Sequence, residues 1–295
     1  MTIAVVHHPL YVAPAPARSP YQWNKNGLVR DLLRDSGAAL DWHEPEAMAR
    51  DWIEAVHDAD YVAEVIEARV PREKERRIGF PVTRAVADRA LVVPGGTYAA
   101  AKIALERGFA ANTAGGSHHA LHATGAGFCV FNDLAIAANR LAEEGERVLI
   151  VDCDVHQGDG TAALTAGRTE IATYSIHAEK NFPVRKARST RDVALPDGAD
   201  DAAYMDALTT SLPALVAEFA PTLILYQAGV DPWEGDRLGR LALSREGLLV
   251  RDRWIATLAR THGLPLASAL GGGYGVDAME VSQRHVASIL ALGGA

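Results

Sequence analysis

Cysteine is nearly absent: only Cys129 and Cys153 occur in 295 residues, and they form no CxxC pair. A disulfide framework is therefore excluded, and both thiols, set in apolar runs, read as buried small hydrophobes. Long apolar runs are missing too. Nothing approaches the roughly 18 residues a membrane-spanning helix needs. The start, MTIAVVHH, lacks a charged segment followed by an apolar one and reads as a first strand, so a soluble cytoplasmic protein is expected. Positive charge is in deficit, with 29 Lys and Arg against 37 Asp and Glu, a net of −8. That sign is wrong for nonspecific neutralisation of nucleic-acid phosphates. It is compatible with a cationic partner, and equally with plain solubility. Repeats and low-complexity tracts are absent. No GK dipeptide exists for a phosphate-binding loop, and the GGG before Tyr274 meets Val276 where a dinucleotide fingerprint needs glycine.

What remains is ordinary globular composition, 48% hydrophobic and 22% charged. A chain of this length hides roughly 73% of the surface its unfolded form exposes, so the core needs no staple. Pro14 to Pro20 reads as a short loop, and the basic stretch PREKERR at 71–77 as an exposed loop or helix end. Thr97 is expected to cap a helix through Ile103 and Leu105 that Gly108 stops. Asn132 opens the next, with Gly145 as terminator. Val148 to Val151 is solidly apolar, a buried strand by character. Ile171 to Ile176, Thr222 to Tyr226 and Leu264 to Leu270 are further strands. Tyr204, Leu208, Leu212, Leu215 and Phe219 keep helical spacing, Ser244 caps another helix, and Asp277 begins the last. Such alternation predicts an α/β fold, one parallel sheet flanked by helices, as a single domain over 1–295. Ligands bind beyond the carboxyl ends of such strands.

Polar residues gather at those ends. After Val151 comes DCDVHQGDG, where Asp154 and His156, two apart on extended backbone, project together as the beginning of a metal site. After Tyr226 comes QAGVDPWEGDRLG, whose Asp231, Glu234 and Asp236 each offer a third ligand; spacing does not choose among them. The pair His118-His119 lies in a glycine-rich turn, suited to acid–base work on a metal-bound water. Tyr274, on the turn after the last strand, is placed to donate a hydrogen bond to an oxyanion. The bland readings are loop acids, turn caps and core histidines, and His7-His8, His43, His57, His262 and His285 are assigned to that class. A Cys nucleophile near the pair is the minor alternative.

Together the blocks GGSHHA, GFCVFND, VDCDVHQGDGT, YQAGVDPWEGDRLG and LGGGY, in this order over residues 115 to 274, resemble the zinc-dependent histone deacetylase family. The wording DVHQG and EGDRLG is most similar to its class IV branch and the bacterial deacetylase-like amidohydrolases. The resemblance implies an arginase/deacetylase-like fold, with Asp154, His156 and Asp236 as ligands of one zinc ion. It implies His119 as general base, Asp152 as the partner of His118, Asp159 as the partner of His119, and Tyr274 as the carbonyl-polarising phenol. Phe128, Gly127 and Phe182 would line an acyl-lysine tunnel with Leu243 at its mouth. A structural potassium ion would rest on Asp152, Ser175 and the backbone of Asp154, His156 and Ile176. The sequence departs from the family pattern in Gln157, where many relatives have histidine, and in a glycine run three long rather than four. It also has no clear acidic peptide-gripping residue before position 95.

The function so implied is removal of an acetyl or longer acyl group from N-acylated lysine in proteins or peptides. An acetylated polyamine or other small acylated amine is the nearest rival, and apolar Leu243 tilts against a cationic one. A metal-holding binding protein without catalysis would have no need of the histidine pair. A dimanganese ureohydrolase would want more bridging carboxylates. The glycines at 115–116, 125–127 and 271–273 suggest an open tunnel foot with room for long acyl chains, unless they only let backbone pack closely. Oligomeric state is not legible.

Overall fold

Strands and helices alternate through most of the chain in the computed structural model, which describes residues 2–14 and 21–294. In order they are β1 (Ile3–Val6), α1 (Lys25–Asp35), β2 (Leu40–His43), α2 (Arg50–Glu54), α3 (Ala59–Ile66), α4 (Arg72–Ile78), α5 (Arg84–Arg107) and β3 (Phe109–Asn112). Then follow α6 (Asp133–Glu143), β4 (Val148–Asp152), α7 (Asp159–Leu164), β5 (Ile171–Ala178) and β6 (Arg191–Leu195). Last come α8 (Asp201–Phe219), β7 (Leu223–Gln227), α9 (Arg245–Thr261), β8 (Leu266–Ala269) and α10 (Ala278–Gly293). The eight strands form one sheet in the order β2-β1-β3-β8-β7-β4-β5-β6. Every pairing is parallel.

Period-two alternation divides each central strand between two cores. Leu149 and Val151 of β4 join Ile224 and Tyr226 of β7 against α1, α8, α9 and α10. Val148 and Ile150 join Leu223 and Leu225 against the alanine-rich faces of α5 and α6. A further cluster, built from α2, α3, α4 and the start of α5, packs on Phe131 and Ile136. The sheet is thus apolar on both faces, as parallel sheets require.

Several boundaries differ from expectation. Thr97 caps nothing: the helix begins at Arg84, capped by Thr83, and runs through Pro94-Gly95-Gly96 to Arg107. Those glycines permit close approach, since a Cβ on Gly95 would meet the Glu46 carbonyl oxygen at 1.9 Å and one on Gly96 the Tyr11 hydroxyl at 1.8 Å. The basic stretch at 71–77 forms most of α4. Most of the loop expected from Pro14 to Pro20 lies outside the described residues. Asn132, Ser244 and Asp277 cap α6, α9 and α10 with their side chains as expected.

The strand order decides where chemistry can collect. β3, β8, β7 and β4 are consecutive neighbours, and the loops at their carboxyl ends carry the His118-His119 turn, the Tyr274 turn, the Asp231–Asp236 loop and the Asp154-His156 segment. Four motifs scattered over 160 residues are thereby brought to one edge.

Candidate active site

Asp154 lies at the bottom of that edge, 1% exposed. Its Oδ2 accepts hydrogen bonds from Gln227 Nε2 at 2.7 Å and Gly272 N at 2.8 Å. Its Oδ1 accepts the His156 backbone N–H at 3.0 Å and lies 3.0 Å from His156 Nδ1. Asp231 enters the same cluster: its Oδ1 accepts from Val155 N at 2.9 Å, and its Oδ2 stands 3.3 Å from His156 Nδ1 without a hydrogen-bond partner. Asp154, His156 and Asp231 offer ligand atoms that all lie within 4.8 Å of one another. Burial, then the charge of Asp154, pushes Asp231 up to about 7.

Of the three acids that spacing left open, the structure therefore brings Asp231 into the group. Asp236 stands outside it, with Oδ2 accepting from Tyr274 N at 2.7 Å and Oδ1 from Leu238 N and Gly239 N at 2.9 and 3.2 Å. These bonds tie the Asp236 carboxylate to the Tyr274 turn and to its own loop. Glu234 is exposed.

The two histidine rings are tilted against each other at 44° with centroids 4.0 Å apart, and they face different partners. His118 Nδ1 lies 2.7 Å from Asp152 Oδ2, and its Nε2 lies 3.8 Å from Asp154 Oδ1. Burial opposes charge on His118, but the carboxylates of Asp152 and Asp154 outweigh it and raise it to about 9. His119 Nδ1 lies 2.7 Å from Asp159 Oδ1, at the start of α7. Burial and the neighbouring charge of His118 push His119 down to about 3. The two neighbouring imidazoles are thus driven in opposite directions, His118 toward the charged form by its carboxylates and His119 toward the neutral form by burial.

A cavity of about 640 Å³ opens beside His119, and His156, Gly127, Phe128, Phe182 and Tyr274 line it with that residue. Phe182 stands edge-on to His119 at 4.8 Å and is 44% exposed; Phe128 lies 5.6 Å from the Tyr274 ring. Phe128 adopts φ +67°, a left-handed geometry unusual for a bulky residue, with its N–H held by the Ile78 carbonyl at 2.7 Å. Gly127 is needed as glycine: at φ +52°, a Cβ there would sit 2.6 Å from the His119 ring. Burial, then the charges of Asp154 and Asp231, pushes the half-buried Tyr274 phenol upward, so it stays a donor.

Two expectations are corrected. Leu243 is not at the mouth; it is fully buried in the larger core, and Leu238, 45% exposed, lines the cavity instead. The backbone N–H and carbonyl of Leu243 are bonded to Pro232 and Glu234, which turns that segment inward. Nor do the glycines leave an open foot. A Cβ on Gly116 would meet Gly271 Cα at 2.6 Å, and one on Gly272 would meet Asp231 Oδ2 at 2.2 Å.

Of the residues implied for potassium, Asp152 and Ser175 are register partners across β4 and β5, with Ile176 next along β5. Ser175 Oγ lies 3.0 Å from His177 Nδ1. Both cysteines are buried, and burial pushes Cys129 up and Cys153 up to about 12, which disarms them as nucleophiles. Gln157 bonds the Ala187 carbonyl and Asp192, fixing the loop that follows β5.

Two residues matter that the motif reading passed over. Asp133, fully buried, accepts from Thr97 Oγ1, Gly116 N and Ser117 N at 2.5, 3.0 and 2.7 Å, anchoring the histidine turn. Gln227 bonds both Asp154 and the Gly116 carbonyl. Each had one signal: a polar side chain abutting an apolar run.

A family model described as the histone deacetylase domain matches residues 19–290. An uncharacterized protein of Picosynechococcus sp. is 42% identical over 289 residues, covering 97% of this chain and 96% of its own. A protein named "Probable deacetylase" from Archaeoglobus fulgidus is 29% identical over 299 residues, covering 94% and 82%. Among solved structures, the HDA15 HD domain superposes with a TM-score of 0.82 at 20% identity, covering 99% of this chain and 91% of that one. That last likeness is one of fold, an eight-stranded parallel sheet flanked by helices.

Proposed function

Since this chain belongs to the histone deacetylase family, a family of hydrolases, we propose that it is a zinc-dependent deacylase of N-acylated lysine in proteins or peptides. It would be a single catalytic domain spanning residues 1–295 and working in the cytoplasm. The observation that carries the reading is the cavity where a carboxylate-oriented His119, His156 and Tyr274 meet two aromatic walls.

The residues present fit a divalent cation. One imidazole and two carboxylates crowd together while buried, and Asp231 Oδ2 has no hydrogen-bond partner. Nitrogen and oxygen donors of this kind suit zinc. Asp154 and His156 would hold the ion with Asp236, as the resemblance of the EGDRLG motif implies; Asp231, 3.3 Å from His156 Nδ1, would steady that ring. Bound zinc supplies a Lewis acid that polarises the amide carbonyl and acidifies water. Asp152, Ser175 and the backbone of Asp154, His156 and Ile176 would hold a structural potassium ion.

The chain's own residues do the rest. Phe128 and Phe182 sandwich the alkyl stem of lysine and exclude water. His119 Nε2 takes a proton from the water that attacks the amide carbon. Tyr274 donates a hydrogen bond to the oxygen as negative charge develops on it. When the C–N bond breaks, His119 returns the proton to the departing amine. His118, its Nδ1 2.7 Å from Asp152, would set the electrostatic surroundings of His119, whose ring centroid lies 4.0 Å away. Purified protein should release acetate from acetyl-lysine peptides and leave the free lysine side chain, retain about one zinc per chain, and lose most of it in Asp236→Asn but not in Asp231→Asn. Turnover of acetylated polyamines alone would replace the lysine reading. Loss of zinc in Asp231→Asn alone would move the third ligand to Asp231.

A further inference from the structure

The mouth of the cavity is cationic. Arg77 at the end of α4, Lys180 after β5, and Arg237 and Arg240 after β7 line it, and no Asp or Glu does. All four are exposed. Arg240 is paired with Asp197 at 3.0 Å, whereas no ion pair engages Arg77, Lys180 or Arg237 among the described residues. A net charge of −8 makes this concentration run against the sign of the whole molecule. Scattered surface cations are ordinary; unpaired ones from three separate segments around one cleft focus a field into it.

Deeper in, the walls are uncharged apart from the histidines: Phe128, Phe182, Gly127 and Tyr274. A lysine stem therefore meets neutral surface, while the peptide left at the mouth meets guanidinium and ammonium groups. We infer that the preferred substrate is an acyl-lysine flanked by acidic residues, an anionic peptide context that Arg77, Lys180, Arg237 and Arg240 select. This deepens the deacylase reading and rests on it. Basic flanks, and polyamines with charge along their length, would be repelled by the same groups.

The test uses three peptides with one central acetyl-lysine and flanking Glu, Gln or Lys. kcat/KM should fall in that order, by roughly tenfold from end to end at low salt, with the change in KM and compression to about twofold near 0.5 M salt. The double variant Arg77→Glu with Arg237→Glu should reverse the order, the change again falling in KM. A flat order, or the Lys peptide leading, overturns the inference and leaves the deacylase reading standing. If none of the peptides is cleaved, that reading fails. Fluorescence anisotropy of the labelled Glu and Lys peptides on the same protein then decides the inference alone: tighter Glu binding supports it, equal or tighter Lys binding overturns it.

Discussion

His57 is held in one tautomer by what surrounds it. Its Nδ1–H donates to the Leu121 carbonyl at 2.9 Å, and its Nε2 accepts the Asn132 N–H at 2.9 Å, so a second proton has nowhere to go. Burial pushes it down to about 4. Because the folded value lies below the unfolded 6.5, its contribution to stability is intact above pH 6.5 and is lost as pH falls through 4, on the order of 3 kcal/mol in all. Denaturant titrations between pH 7 and pH 4 should show His57→Gln losing less stability with acid than the parent. At the cavity, Tyr274→Phe removes only the donor and should lower kcat by on the order of 10²–10³ with zinc content unchanged; a loss under about threefold removes Tyr274 from the mechanism. That His118, His119 and Tyr274 gather at one edge of the sheet was legible in sequence because each sits in a glycine-rich turn that follows an apolar run. Asp133 and Gln227 were not, because bonding a backbone amide leaves no spacing signature.

At the scale of elements, α5 and the turn after β3 are coupled through one carboxylate. Burial pushes Asp133 upward while Thr97 Oγ1 and the amides of Gly116 and Ser117 pull it back. Thr97 thus works from mid-helix, and Pro94-Gly95-Gly96 hid this: three poor helix formers in a row signal a break, which tertiary contact with Glu46 and Tyr11 overrides. Asp133→Ala leaves the buried Gly116 N–H and the part-buried Ser117 N–H without their acceptor and should loosen the segment bearing His118 and His119. It should cost roughly 2–4 kcal/mol of stability and cut kcat well beyond what Thr97→Ala does, measured at a temperature where both variants remain folded. An equal loss of kcat in the two would mean that the helix, rather than the turn, is what Asp133 supports.

For the whole molecule, the parallel sheet was readable from apolar runs alternating with helical periods, since burial on both faces leaves a strong mark on composition. The first hundred residues were less readable: β2 is only partly buried along its four residues, and α2 and α4 are short. The depth of the tunnel was not readable at all, because glycine is equally consistent with a void and with close packing. Distances settle the packing. A Cβ on Gly125 would lie 2.3 Å from the Cys129 carbonyl oxygen, and one on Gly271 would lie 2.5 Å from Gln227 Oε1. None of Gly115, Gly116 or Gly271 to Gly273 lines the cavity, whereas His119, His156 and Tyr274 do. An acyl chain longer than acetyl would have to push apart backbone already in contact, and overpacking of that kind costs about 1–3 kcal/mol. Each added methylene offers at most about 0.8 kcal/mol in return, and only if it finds space to be buried. On one neutral peptide, kcat/KM should therefore fall from acetyl- through butanoyl- to octanoyl-lysine, by roughly tenfold or more across the series. A rise toward octanoyl would show that the loops after β3 and β8 part to admit the chain.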